Sequence, residues 1–180
     1  EEVIERCPQH TFIFLTKNPA GLRAWSPFPD NCRVGATVCN QSMLKDTFMA
    51  FRDVVGKKWL SFEPLMESMN ERHYFSLLLE TIGVTWVTIG AQTNPTVYPK
   101  IEWVREIVAA TDRSGIPVWL KHNLWPLLAG DGKGTPNGLM DDIFWENDKA
   151  KLRFEPGTII WGNAAIFTRP ACRFGENPST

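Results

Sequence analysis

The chain has 180 residues, 43% hydrophobic and 22% charged, which allows one ordinary domain with a real core and excludes a disordered tail or two full-sized domains. A formal net charge of -1 excludes a broad basic surface for non-specific nucleic-acid or anionic-membrane binding, leaving at most a local basic groove. Eight Trp and eleven Phe against two Tyr point first to bulky packing surfaces.

The chain opens Glu1-Glu2-Val3-Ile4-Glu5-Arg6-Cys7-Pro8, without Met. Val3, Ile4 and Cys7 have helical spacing, so the segment is predicted to be the last turns of a helix stopped at Pro8, and an upstream segment is expected. Five strand-length apolar runs follow. They are Thr11–Leu15, ending in Thr16-Lys17; Arg33–Val38, ending in Cys39-Asn40-Gln41; Trp59–Phe62, ending in Glu63-Pro64; Thr85–Ile89, ending in Gly90-Ala91-Gln92; and Val118–Leu120, ending in Lys121-His122-Asn123. Runs apolar nearly throughout are expected of parallel strands covered on both faces.

Helical stripes separate them. Ser42–Val55 carries Leu44, Phe48, Phe51 and Val55; Glu71–Ile82 carries Tyr74, Leu77, Leu78 and Ile82; Ile101–Ala110 carries Ile101, Val104, Ile107 and Val108. The Pro-rich link from Leu15 to Arg33 has room for one turn around Leu22 and Trp25. Strand–helix–strand units repeated at this spacing predict an α/β fold with right-handed crossovers. We expect a partial parallel (β/α) barrel of TIM-like type, with about five strands, over residues 1–125. A doubly wound sheet ranks second, because no G-x-G-x-x-G follows the first strand.

Residues 126–180 are expected to form an irregular extension, with turns at Gly130–Gly134 and Pro136–Gly138. Ile143–Trp145, Leu152–Phe154 and Thr158–Trp161 are its candidate strands, before a loosely ordered tail from Thr168. Gly132-Lys133-Gly134 reads as a surface turn rather than a phosphate-binding P-loop: Leu127 and Gly134 stand where that motif needs Gly and a hydroxyl. Cys7, Cys32, Cys39 and Cys172 form no C-x-x-C and no three-cysteine cluster motif, as expected in a reducing cytoplasm. No metal site, serine-hydrolase elbow or membrane span is predicted.

Ligands in parallel β/α folds meet the carboxyl ends of the strands. Those ends carry Thr16, Lys17, Asn40, Gln41, Glu63, Gln92, Lys121 and His122. Any one of them is more often a solvated loop residue; five strands ending this way point to a polar rim. Glu63, between Phe62 and Pro64, is the sharpest candidate for acid–base or ligand-binding work, with Lys17 and Lys121 as its charged companions.

The segments H-T-F-I-F-L-T-K-N-P (10–19), V-G-A-T-V-C-N-Q (34–41), W-L-S-F-E-P-L (59–65), T-W-V-T-I-G-A-Q-T (85–93) and W-V-R-E-I-V…G-I-P-V-W-L-K-H (103–122) together resemble the bacteriophage Gp37/Gp68-like, or DUF5131, family. The resemblance spans residues 10–122 in order and spacing. It implies a divergent radical S-adenosylmethionine-like protein of unknown substrate, with a partial barrel and an N-terminal cysteine-rich segment holding a [4Fe-4S] cluster. By motif match, Thr16, Lys17, Asn40, Gln41, Ser61, Glu63, Gly90 and Lys121 fall on recurring family positions; such polar groups would cradle the methionine and ribose parts of S-adenosylmethionine. Gln92 joins them from the strand ends, although Ala91-Gln92-Thr93 replaces the family's Gly-Glu-Ser.

Asn18, Cys39 and Asn123 also depart from the pattern, and the cysteine-rich segment is absent from this sequence. The chain alone is therefore expected to be inactive as a radical enzyme. Two other readings stay open: a non-redox barrel enzyme using Glu63 with Lys17 or Lys121, and a degenerate non-catalytic interaction module. A small-molecule cofactor is the expected partner. Nucleic acid stacking on Trp25 and Trp125 has no support from net charge, and oligomeric state is left open.

Overall fold

A computed structural model describes residues 2–69 and 74–128. In chain order they form α1 (Glu2–Arg6), β1 (Phe12–Thr16), a 3-10 helix (Pro19–Trp25), β2 (Cys32–Thr37), α2 (Gln41–Phe51), β3 (Lys57–Phe62), α3 (Tyr74–Thr81), β4 (Val84–Ile89), β5 (Gln92–Thr93), β6 (Thr96–Val97), α4 (Ile101–Arg113), β7 (Val118–Leu120), a 3-10 turn (His122–Leu124) and α5 (Trp125–Leu128). Each of the five strand runs predicted between Thr11 and Leu120 forms a strand, with ends moved by at most two residues. The predicted turn around Leu22 and Trp25 is the 3-10 helix.

The main sheet has the order β1-β2-β3-β4-β7, every pairing parallel. Parallel neighbours need a crossover, and α2, α3 and α4 supply three of them. The order never reverses, so the sheet lacks the switch point of a doubly wound fold. β5 and β6 form a separate antiparallel hairpin. It went unpredicted, although its turn is the breaker pair Asn94-Pro95.

One face of the sheet is the core. Ala36, Leu60, Phe62, Val87, Ile89, Val118 and Leu120 pack with Leu44 and Phe51 of α2, Phe75 and Leu79 of α3, and Val104, Ile107 and Ala110 of α4. β2, β3, β4 and β7 contribute alternate residues to this face, as a two-residue period requires. Burying the core side chains is the main favourable term, at about 1.5–3 kcal/mol for each large one.

Three expectations need correction. β1 is not covered on both faces: it ends the sheet, leaving Ile13 51% and Leu15 50% exposed. α2 stops at Phe51, so Val55 is no part of its stripe and stands 64% exposed, while Val54 takes the buried place. In α3 the buried residues are Phe75 and Leu79, not Tyr74 and Leu77. That helix is apolar almost all round, so several stripes fit its sequence and only packing selects one. Glu71–His73 and the expected elements beyond residue 128, with Cys172, lie outside the described residues.

Candidate functional site

The opposite face of the sheet has a layered composition. Register aligns Leu15, Gly35, Trp59 and Trp86 in one row across β1 to β4. The next row toward the carboxyl ends is Thr37, Ser61, Thr88 and Trp119 across β2, β3, β4 and β7. Trp59 stacks on Trp86 at 4.7 Å between centroids, and Trp86 on Trp119 at 6.3 Å. The Trp59 Nε1–H donates to the Phe14 carbonyl at 3.2 Å. Trp59 and Trp86 therefore form an aromatic floor one row below three hydroxyl side chains, and Trp119 ends the hydroxyl row.

Those three residues are all buried: Thr37 4%, Ser61 2% and Thr88 3% exposed. Thr88 Oγ1 and Trp86 Nε1 are buried with no hydrogen-bond partner among the described residues. Buried polar atoms normally have partners, because leaving one unpaired costs about 1–3 kcal/mol. Two such atoms on one polar face mark where a ligand's hydrogen-bonding groups would be stabilised.

Above the hydroxyl row stands the ion pair Glu63–Lys121. Lys121 Nζ lies 2.6 Å from Glu63 Oε1 and 2.7 Å from Oε2, so one ammonium bridges both oxygens. Sequence places each residue just past its strand, and β3 and β7 are separated only by β4. The side chains are 24% and 30% exposed, so water reaches the pair. Gly90, just past β4, completes the arrangement: a Cβ there would stand 2.9 Å from Glu63 Cδ. A side chain at this position would push the carboxylate out of its place beside Lys121 and Asn123.

Asn123 holds the corner. Its Nδ2 donates to Glu63 Oε1 at 3.3 Å and to the Ala91 carbonyl at 2.8 Å, while its Oδ1 accepts from the Ala91 N–H at 3.1 Å. One amide side chain thus satisfies both backbone groups of Ala91 and orients Glu63. Neither Asn123 nor Thr37 and Thr88 was singled out as a site residue from sequence. The available signal was a hydroxyl residue shortly before each strand end: Thr88 two residues before Gly90 and Thr37 three before Asn40.

The other candidates are placed differently. Asn40 Oδ1 accepts from the Met43 N–H at 2.9 Å and caps α2, as a favoured N-cap residue does. Gln41 begins α2: its Nε2 donates to the Ser68 carbonyl at 3.0 Å, and its N–H donates to the Glu67 carboxylate. Thr16 Oγ1 accepts from the Asn18 N–H at 3.0 Å. Gln92 begins the hairpin, paired with Val97. Lys17 is not joined to Glu63; it lines a cavity of about 330 Å³ between the 3-10 helix and α2, which meets the hydroxyl row only at Thr37. Burial raises the Cys39 thiol pKa, and the nearby Lys17 cation draws it partly back.

Among the described residues no three His, Cys, Asp or Glu gather to hold a metal ion, and no helix is long and apolar enough to cross a membrane. Residues 1–132 match the family model described as a protein of unknown function (DUF5131). No curated protein and no solved structure matches the chain.

Proposed function

The chain belongs to the DUF5131 family, and on that premise we propose that it is a radical S-adenosylmethionine-like protein of the phage Gp37/Gp68 type, whose sheet is part of a partial β/α barrel that binds S-adenosylmethionine at its polar face. The barrel reading is supported by the unreversed strand order and by a second face built in layers. The single observation behind the ligand reading is the row Thr37, Ser61, Thr88, with Thr88 Oγ1 buried and unpartnered beneath Glu63 and Lys121.

The donor set suits the polar parts of that molecule. The hydroxyls of Ser61 and Thr88 would pair with its ribose or amino-acid groups, and the Glu63–Lys121 pair offers both signs of charge at the strand ends. The aromatic floor bounds the face from below. When bound, S-adenosylmethionine supplies a sulfonium whose cleavage needs an electron donor. The described residues assemble no ligand set for an iron–sulfur cluster, so no electron-transfer step is assigned to them. Glu63, with both oxygens taken by Lys121, acts here to hold and orient rather than to shuttle a proton.

Titration of the purified chain with S-adenosylmethionine, followed by tryptophan fluorescence and calorimetry, tests this. Saturable binding is expected to change the emission of the stacked tryptophans. Thr88→Val keeps the side-chain shape and removes the unpartnered hydroxyl. It is expected to weaken binding tenfold or more while melting at or above the wild-type temperature. Absence of saturable binding to the folded chain, or full affinity in Thr88→Val, overturns the reading.

A further inference from the structure

The cavity between the 3-10 helix and α2 is a second site with its own chemistry. Two side chains of opposite charge line it, Lys17 from the loop after β1 and Asp46 from α2. Neither has a salt-bridge partner among the described residues. The third charged lining residue, Arg23, is already engaged: its guanidinium lies 2.8 Å from Asp53 Oδ2 and donates to the Met49 carbonyl at 2.8 Å. The charges left to the cavity are therefore one cation and one anion.

Thr47 is the independent observation. It lines the cavity from α2, is 0% exposed, and its Oγ1 has no hydrogen-bond partner. A threonine inside a helix normally returns its hydroxyl to a carbonyl one turn back. Thr81 does so to Leu77 at 2.6 Å and Thr111 to Ile107 at 3.1 Å. Thr47 alone of these three leaves its hydroxyl unbonded, and it is the one beside the cavity. Met43 and Met49 supply apolar, adaptable surface to the same space.

The geometry points to a binding site for a free α-amino acid with an apolar side chain. Its carboxylate is complementary to Lys17, its ammonium to Asp46, a polar atom to the Thr47 hydroxyl, and its side chain to Met43 and Met49. At about 330 Å³ the cavity sits at the small end of ligand pockets, which suits a molecule of that size.

The test is calorimetric titration of the purified chain with L-leucine as probe, beside glycine, acetate and propylamine. L-Leucine is expected to bind saturably, one per chain, with the three fragments at least tenfold weaker. Asp46→Asn and Thr47→Val are each expected to lower the L-leucine affinity tenfold or more, and Lys17→Met likewise. Asp46 is exposed and Thr47→Val preserves shape, so both variants should melt as the wild type does. Absence of saturable L-leucine binding to the folded chain overturns the proposal, as does unchanged affinity in Asp46→Asn and Thr47→Val. Loss of L-leucine affinity in Thr88→Val but not in Thr47→Val also overturns it, because the probe would then occupy the hydroxyl row. S-Adenosylmethionine binding, read through Thr88→Val, succeeds or fails separately.

Discussion

The indole of Trp59 fills the space that a side chain at Gly35 would need. A Cβ on Gly35 would stand 2.3 Å from Trp59 Cε2 and 2.4 Å from Nε1. The ring has little freedom to retreat, being 6% exposed, stacked on Trp86 and hydrogen-bonded to Phe14. The aromatic floor of the polar face thus depends on a glycine one strand away.

Gly35→Ala is accordingly expected to destabilise the fold by about 1–3 kcal/mol, the range for an overpacked core position. Urea melts measure the loss. Tryptophan emission should change in the native baseline, because the stack must shift to admit one methyl group. A variant with wild-type stability and emission would mean that Trp59 does not pack on Gly35.

Glu63→Gln keeps the side-chain shape and removes one charge of the pair with Lys121. Because both side chains are partly solvated, the expected cost is about 1–2 kcal/mol, discounted from the roughly 3–5 kcal/mol of breaking a fully buried pair. Gly90→Ala should also destabilise, since its methyl group meets the Glu63 carboxylate. In a Glu63→Ala background that cost should fall by about 1 kcal/mol or more, a coupling that a double-mutant cycle reads directly. Additive effects would contradict the contact.

Asn123→Ala leaves both backbone groups of Ala91 without their side-chain partner, and Ala91 is only 1% exposed. A loss of about 1–3 kcal/mol is expected from the stranded groups. Amide exchange at Ala91 should speed up in the variant more than exchange at the strand centres. Equal acceleration everywhere would show a global effect instead.

Burial raises the thiol pKa of both Cys32 and Cys39, and only a thiolate reacts quickly with alkylating reagents. Iodoacetamide labelling near neutral pH, mapped by mass spectrometry, should therefore mark the partly exposed Cys7 well before Cys32 and Cys39. The linkage sign also follows. Unfolded thiols ionise near their ordinary value of about 8.5, below the raised folded values, so the folded chain holds more protons above that pH. Stability should decline as pH rises from there through the folded values. Serine at Cys32 or Cys39 should flatten that decline.

Much of this protein was legible in sequence because local pattern carries it. Apolar runs spaced by helical stripes predicted five parallel strands, and residues just past a strand must lie at its carboxyl end, which put Glu63, Gln92 and Lys121 on one expected rim; Gly90 came only from the family resemblance. Local pattern could not say which face of a run meets the helices, since burial on both sides removes the two-residue alternation that would reveal it. Nor could it show that Asn123 reaches back to Ala91 and Glu63, or that β1 stands exposed at the sheet's end. The hydroxyl row rests on a single tertiary event, the register shift between Lys58 and Trp59. Without it, Trp59 would lie opposite Thr85 and Ser61 opposite Val87; with it, Ser61 meets Thr88 and Trp59 meets Trp86. Register between strands is set by hydrogen bonds and packing across the sheet, so the polar face exists only once β3 and β4 have paired.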